Sequence, residues 1–345
     1  MVLMMECDRA YVEQVIVFLE SFFEFHKNTK VNLVIADRDW DDKSRRIVDD
    51  CLKDHKGVSQ FVDIRADLEY FGYPVKDVSI MLSVFAIAER IDFDKILYVD
   101  VDMIVNGSLE EVWNTELGDN LIAGTLDYNI DLARAGSGLG KDDIYFNTGV
   151  ALINLKAMRK YHIRKKTHDY IRYYNIRRHE KAINEVTHSK AKTWEIMYYN
   201  ANCIYLHDQG IWSRLARGKM LVLHPKYNVL MPEMLCPIEE LVEQWRGFWS
   251  GEDIAEAREH PVVIHFSGNK YCKPWNKGCE HPYKDLYILY RDRTRFKGAK
   301  LLEGQESDRR RKQDWVRKLP ERFQYFVYKY GYMKEVRRKK YDSDK

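Results

Sequence analysis

Apolar positions in the first hundred residues alternate between two rhythms. Val2–Met5, Val31–Ala36, Phe61–Ile64 and Ile96–Val99 are short continuous runs, rich in β-branched and aromatic residues, as in strands buried on both faces. Between the first two, Val15, Leu19, Phe22 and Phe23 recur at helical spacing and predict a helix over Tyr11–Phe25. Asp41–Lys53 and Ser79–Ile91 predict two more helices, the second capped near Asp77. This β-α-β-α-β-α-β order predicts a parallel, doubly wound sheet. Such sheets bind ligands beyond the carboxyl ends of their strands.

The pattern continues less regularly. It predicts a short helix at Glu110–Asn114, a strand at Leu121–Gly124 and a loop from Asp127 to Asp143. That loop contains Gly136-Ser-Gly-Leu-Gly140, which neither follows a strand nor opens a helix and so is not a dinucleotide fingerprint. A strand begins just after Asn147-Thr-Gly149. Residues 156–206 read as mostly helical and basic, and Asp208-Gln209 opens a further helix. Leu221–Leu223 and Tyr227–Leu230 read as strands, and Ile238–Trp249 as an amphipathic helix. Pro261–Gly268 is a strand ending at His265 and followed by a small-residue turn. Beyond Tyr283 the chain is helical and increasingly basic.

Composition adds two things. With 345 residues, 45% hydrophobic and 32% charged, the chain has the makings of one large α/β domain or two modest ones. Its net charge of +3 is unevenly spread: Asp308–Lys345 holds 14 Lys/Arg against 6 Asp/Glu, leaving 42 basic and 47 acidic residues elsewhere. That tail interleaves its charges with Trp315, Leu319, Phe323, Phe326 and Tyr330, which suits an anionic membrane surface; RNA binding and a solvated tail are the alternatives. The six cysteines are scattered without a CxxC, the pattern of reduced cytoplasmic thiols. Met1–Met5 is too short for a signal-peptide core, and no run reaches 18 apolar residues, so a cytoplasmic protein is expected.

The chemistry centres on Lys95-Ile-Leu-Tyr-Val-Asp-Val-Asp-Met-Ile-Val105. Of the Asp-x-Asp strings in the chain, Asp100/Asp102 alone interrupt a strongly apolar segment, where an unpaired carboxylate is costly to bury. In extended chain both acids face one side, and such a pair suits Mg²⁺ or Mn²⁺. The alternative is a strand end whose acids reach water. Asp8 also falls at a strand end, as a crevice residue or a turn cap. Asn147 suits a sugar hydroxyl or an ordinary turn. His265, near Lys270 and Lys273, completes a site for metal and phosphate or is satisfied structurally.

Taken in order, Cys7-Asp-Arg-Ala-Tyr11, Leu97-Tyr-Val-Asp-Val-Asp102, Phe146-Asn-Thr-Gly-Val150, Asp208-Gln209 and His265-Phe-Ser-Gly268 with Lys273-Pro-Trp275 resemble the retaining glycosyltransferases of family 8. The likeness is strongest to the bacterial sugar transferases of lipopolysaccharide and surface-glycan assembly, and runs from about residue 2 to 290. It implies a GT-A fold, Rossmann-like with a doubly wound mixed sheet, followed by a helical, basic C-terminal extension. The implied boundaries are 1–290 for the transferase domain, with the nucleotide-sugar part at about 1–155 and the acceptor part at about 156–290, and 291–345 for the tail.

The resemblance also implies roles. Asp100, Asp102 and His265 match metal ligands. Asp8 and Tyr11 match uridine contacts, and Asn147 and Gly149 match donor-sugar contacts. Asp208 matches a residue that binds the donor sugar, and Gln209 the residue beneath its reacting carbon. Lys273 matches the lysine that reaches the diphosphate, with Lys270 as a second candidate because the spacing from His265 is two residues longer than usual. Val101 and Gly268 complete the expected nucleotide-sugar contacts. The family usually carries an Arg in the helix before the metal strand; the aligned position here is Phe85, with Arg90 about a turn further on, and Ala10 stands where Asn is common. The expectation is a hexosyltransferase that uses a UDP-sugar and Mn²⁺, or Mg²⁺, acts on a glycan or lipid-linked acceptor, and works at the cytoplasmic face of a membrane. Its rivals are a metal-dependent nucleotide-sugar phosphohydrolase and a non-catalytic protein binding RNA or membrane.

Overall fold

The computed structural model describes residues 1–71, 82–127, 139, 143–171, 208–268 and 270–303, without the side chains of Pro232 and Lys270. Ten strands are present among these: β1 Val2–Glu6, β2 Asn32–Asp37, β3 Val58–Asp63, β4 Lys95–Val99, β5 Met103–Val105, β6 Ile122–Leu126, β7 Phe146–Asn154, β8 Met220–Val222, β9 Val229–Leu230 and β10 Val263–His265. Seven form one sheet in the order β3-β2-β1-β4-β7-β6-β8, and three form a second, β5-β10-β9.

The half from β3 to β4 is parallel throughout, with Met4 opposite Val34 on one side and Tyr98 on the other. Beyond β4 the sheet turns mixed. β7 lies antiparallel between β4 and β6, and β8 closes the edge parallel to β6. The parallel half is the doubly wound arrangement expected from the alternation of the first hundred residues, and the sheet as a whole is mixed, as the resemblance implied.

Both faces are covered, which is why β1, β2 and β4 read as continuous apolar runs. One face packs on helices Val12–Phe25 and Asp42–Asp54, through Phe18, Phe22, Val48 and Leu52. The other packs on helices Ser83–Ile87 and Asp208–Leu215, through Phe85, Ile211 and Trp212. The Phe85 and Trp212 rings stack 4.4 Å apart and both are fully buried. Burying one such side chain stabilises by roughly 1.5–3 kcal/mol.

Several local expectations shift for identifiable reasons. β3 starts at Val58, not Phe61, because it is an edge strand whose outward residues are polar and break the apolar run. Within 82–91 the third helix is regular only over Ser83–Ile87; residues 79–81 lie outside the described set. The predicted helix Ile238–Trp249 ends at Gln244, where Arg246 (φ 54°) and Gly247 (φ 67°) turn left-handed, a common helix stop. A separate helix, Gly251–Glu259, starts on a capping box between Ser250 and Asp253. Asn147-Thr-Gly149 lies inside β7, not before it.

At the end of the described chain, helix Lys284–Asp292 packs on helix Val12–Phe25, with Arg293 bonded to Glu24 at 2.8 Å. Leu302 then pairs with the segment that follows Lys273: its N–H donates to Trp275 O and its carbonyl accepts from Lys277 N, both at 2.8 Å. The basic tail beyond 303, residues 172–207 and all of the Gly136–Gly140 string except Leu139 lie outside the described residues. Among the described residues, no helix is long and apolar enough to cross a membrane.

Candidate active site

β4 stops at Val99, and the chain bends through Asp100, Val101 and Asp102 before entering β5 in the other sheet. The bend lies at the carboxyl end of the central strand. Asp100 is anchored there by its N–H, which donates to Gly149 O at 2.9 Å. Val101 is buried among the apolar residues behind the bend. β10 runs antiparallel to β5 and sets His265 opposite Met103. His265 Nε2 thereby faces both acids, at 3.2 Å from Asp102 Oδ1 and 3.6 Å from Asp100 Oδ2. One ligand atom from each of the three lies within 4.8 Å of the others.

The imidazole is held from behind. His265 Nδ1 lies 2.9 Å from Asn228 Oδ1, which can only accept, so Nδ1 is held as a donor and Nε2 is turned toward the two acids. Asn228 is fully buried; its Nδ2 donates to Asn147 Oδ1 at 2.8 Å and to Thr125 Oγ1 at 3.2 Å. Asn147 Oδ1 also accepts from Gly149 N at 2.9 Å, and Asn147 Nδ2 donates to Asp127 Oδ2 at 3.1 Å. A relay of amides thus joins His265 to the tip of β7. Two carboxylates and an imidazole oriented through its Nδ1 fit a divalent cation.

Glycine is required in that relay. A Cβ on Gly149 would lie 2.6 Å from His265 Cε1 and 2.7 Å from Met103 Cε, closer than any real contact. Gly268 has φ +114°, a conformation open to glycine, and turns the chain from β10 toward Lys273.

The remaining expected residues gather on the same crevice. Lys273 Nζ donates to Asp102 Oδ2, with its ammonium 5.6 Å from the Trp275 ring centroid. Trp275 meets the half-exposed Tyr11 ring edge-on at 6.5 Å. Asp8 Oδ1 accepts from Ala10 N at 3.0 Å and caps the short 3-10 turn Arg9–Tyr11, so the turn-cap role is realised at the crevice rim. Asp208 and Gln209 open helix Asp208–Leu215 opposite the tip of β7. Thr148 Oγ1 donates to Asp208 Oδ2, and Gln209 Nε2 donates to Asp127 Oδ2 at 3.0 Å.

A family profile described as Glycosyl transferase family 8 matches residues 2–279. The chain belongs to glycosyl transferase family 8. It is 23% identical over 205 residues to General stress protein A of Bacillus subtilis (strain 168), covering 59% of this chain and 60% of that one. It is 26% identical over 291 residues to Glycosyltransferase GlyD of Streptococcus pneumoniae serotype 4, covering 83% of this chain and 30% of the relative. The match thus spans under two thirds of either relative. The fold superposes on the crystal structure of the galactosyltransferase LgtC with donor and acceptor sugar analogues, with a TM-score of 0.61 and 20% identity over 91% of this chain and all of that one. The chain thus joins family 8 membership to the GT-A fold.

The electrostatics of this family 8 site are divided between its two acids. Burial pushes Asp100 up to about 6, and the neighbouring Asp102 charge adds to the rise. Burial acts the same way on Asp102, but Lys273 and His265 together outweigh it and hold that carboxyl well below the usual range. Asp102 is therefore the fixed anion and Asp100 the one that gains its charge near neutrality. A divalent cation between them would favour both charges.

Sequence reasoning missed Asn228 and Asp127. Asn228 sits just before a two-residue strand, and Asp127 just after β6, positions where polar residues are ordinary. Only the pairing of β7 with β6 and of β9 with β10 brings them to the relay.

Proposed function

We propose that this chain is a retaining, metal-dependent hexosyltransferase that moves glucose or galactose from a UDP-sugar to a glycan or lipid-linked acceptor in surface-polysaccharide or lipopolysaccharide assembly. The observation that carries this is the pairing of Asp100, Asp102 and an Asn228-held His265 with Gln209 and Asp208 across the tip of β7. Mn²⁺ is the preferred ion, with Mg²⁺ as substitute. When bound, it supplies positive charge against the negative charge that builds on the leaving diphosphate.

The chain's own groups do the rest. Lys273, whose ammonium already sits on Asp102, moves onto the diphosphate, with Lys270 as the alternative lysine. Asp8, Tyr11 and the Val101 backbone hold the nucleotide, and Gly268 keeps the turn beside the diphosphate open. Asn147 and Gly149 line the donor sugar, and Asp208 binds its hydroxyls. Gln209 lies beneath the reacting carbon. Its amide is a poor nucleophile, and Nε2 is committed to Asp127. Attack therefore comes from the acceptor on the same face as the departing diphosphate, whose oxygen takes the acceptor's proton. The carbon passes through an oxocarbenium-like state, as in glycosidases.

In this reading the transferase domain runs over 1–290. The basic, aromatic tail over 291–345 holds the enzyme to the anionic cytoplasmic face of a membrane; nucleic acid is not its partner. The test is UDP release from UDP-glucose, UDP-galactose and UDP-N-acetylhexosamines with Mn²⁺ or EDTA. Slow Mn²⁺-dependent release from one donor is expected, falling about 10³-fold in Asp102→Asn, the loss of several kcal/mol of charge stabilisation. Release that persists in EDTA, or no UDP binding with Mn²⁺, overturns the proposal.

A further inference from the structure

One buried acid in the crevice is not used by the reading above. Glu6 ends β1 and is 4% exposed. Met4 lies opposite Tyr98 in the parallel register, and Glu6, two residues on, shares its face at the carboxyl end of the strand. Ser83 holds one of its oxygens: Ser83 N donates to Oε2 at 3.2 Å, and Ser83 Oγ donates to the same atom. The other oxygen, Oε1, has no hydrogen-bond partner among the described residues, and it is not among the polar atoms sealed from solvent. A strictly structural acid this deep would have both oxygens satisfied by the chain.

The neighbours of Glu6 include residues that the reading above gives to the donor sugar. Arg38 and Asp208 both act on Glu6 electrostatically. The buried Tyr98 phenol donates to Asp100 Oδ1 at 2.9 Å and lies in the field of Asp100, Glu6 and Asp208 together. Two residues beyond Ser83, Phe85 turns onto Trp212 and offers that wall no hydrogen bond. Burial pushes Glu6 up to about 7, so near neutrality a protonated form that can both donate and accept is available.

We propose that Glu6 reads the donor sugar: Oε1 hydrogen-bonds a hydroxyl of a neutral hexose, and the acids around it exclude a uronate. The assignment rests on the UDP-sugar reading above. Asp100, Asp127 and Asp208 contribute to the exclusion, since a sugar carboxylate would enter against like charges in a site of low dielectric. Glu6 is a specificity-determining residue here, distinct from the metal and diphosphate ligands.

The experiment is calorimetric titration of the full chain with Mn²⁺ and, in turn, UDP, UDP-glucose, UDP-galactose and UDP-glucuronate, using wild type, Glu6→Gln and Glu6→Ala. Glu6→Gln is isosteric and keeps the Ser83 contacts, so it guards against a folding defect in Glu6→Ala. The expected result is UDP affinity within about twofold across all three, and a loss of about tenfold for the preferred UDP-hexose in Glu6→Ala, the value of one hydrogen bond. Most of that loss is restored in Glu6→Gln, and UDP-glucuronate binds wild type more weakly than the hexoses. Equal weakening of UDP and UDP-hexose, or no change in either, overturns the assignment while leaving the donor reading intact. Wild type that binds no UDP overturns the donor reading itself, and the assignment with it.

Discussion

From β3 through β2 and β1 to β4, each strand joins a parallel neighbour, and the segments between them supply the covering helices. On the other side of β4 the rule changes. β7 is inserted antiparallel between β4 and β6, although β6 precedes it in the chain, and β10 returns to lie between β5 and β9. The first region contributes Glu6, Asp8, Tyr11 and Asp100 to the crevice. The second contributes Asn147, Asp127, Gln209, Asn228 and His265. Local connection thus builds one side of the site, and long-range pairing builds the side that holds the imidazole. The seam between them is where Asp100 N meets Gly149 O.

That seam is where the comparison is most easily broken. In Gly149→Ala the new methyl collides with the His265 ring, which cannot withdraw without moving β10, and with the terminal methyl of the flexible Met103 side chain. Mn²⁺ affinity is expected to fall at least 100-fold and stability by about 1–3 kcal/mol, the range for overpacking. In the parallel region, a Cβ on Gly57 would meet the flexible Leu52 Cδ2 at 2.9 Å. Gly57→Ala should cost stability alone and leave the Mn²⁺ titration unchanged. Equal metal affinity in both variants would dissolve the contrast.

A smaller effect is expected from Asn228→Ala. It leaves the three ligands in place but releases the His265 ring, so the imidazole is free to present either tautomer. Losing such a partner lowers metal affinity about 10–100-fold. Competition against a fluorescent chelator reads it directly, and an unchanged affinity would remove Asn228 from the site.

The smallest effect belongs to the parallel region. His26 Nδ1 donates to Phe22 O at 2.8 Å, and Nε2 accepts from Leu109 N at 2.9 Å, so the buried ring must be neutral. Burial lowers its affinity for a proton below the ordinary value of 6.5. The stability it contributes is therefore complete above that pH and is lost as pH falls through and below it. Urea midpoints between pH 7.5 and 5 should decline more steeply in wild type than in His26→Gln. Parallel slopes would show that His26 does not carry the acid sensitivity.

The contrast also explains what was legible in the sequence. β1, β2 and β4 announce themselves because both faces are buried, and Asp100/Asp102 stand out because they interrupt such a run. The edge strand β3 was displaced by three residues for lack of that signal. The antiparallel placement of β7 left no local trace, since its apolar residues read the same in either direction. Asn228 and Asp127 owe their position to strands far away in sequence, which periodicity does not report. The helix at Gly251–Glu259 was missed although Ser250 and Asp253 form its capping box.

The insertion of β7 also orders the making of the protein in time. As the chain emerges, β1 to β4 can pair as each arrives, but β4 keeps an open edge until Asn154 has been made, because β6 cannot take the place that β7 fills. The imidazole comes later still, when β10 is laid against β5. A growing chain therefore carries the two acids side by side long before it carries their third partner. Closure of the small sheet marks the point at which a nascent polypeptide first carries the complete set of residues proposed to hold a cation.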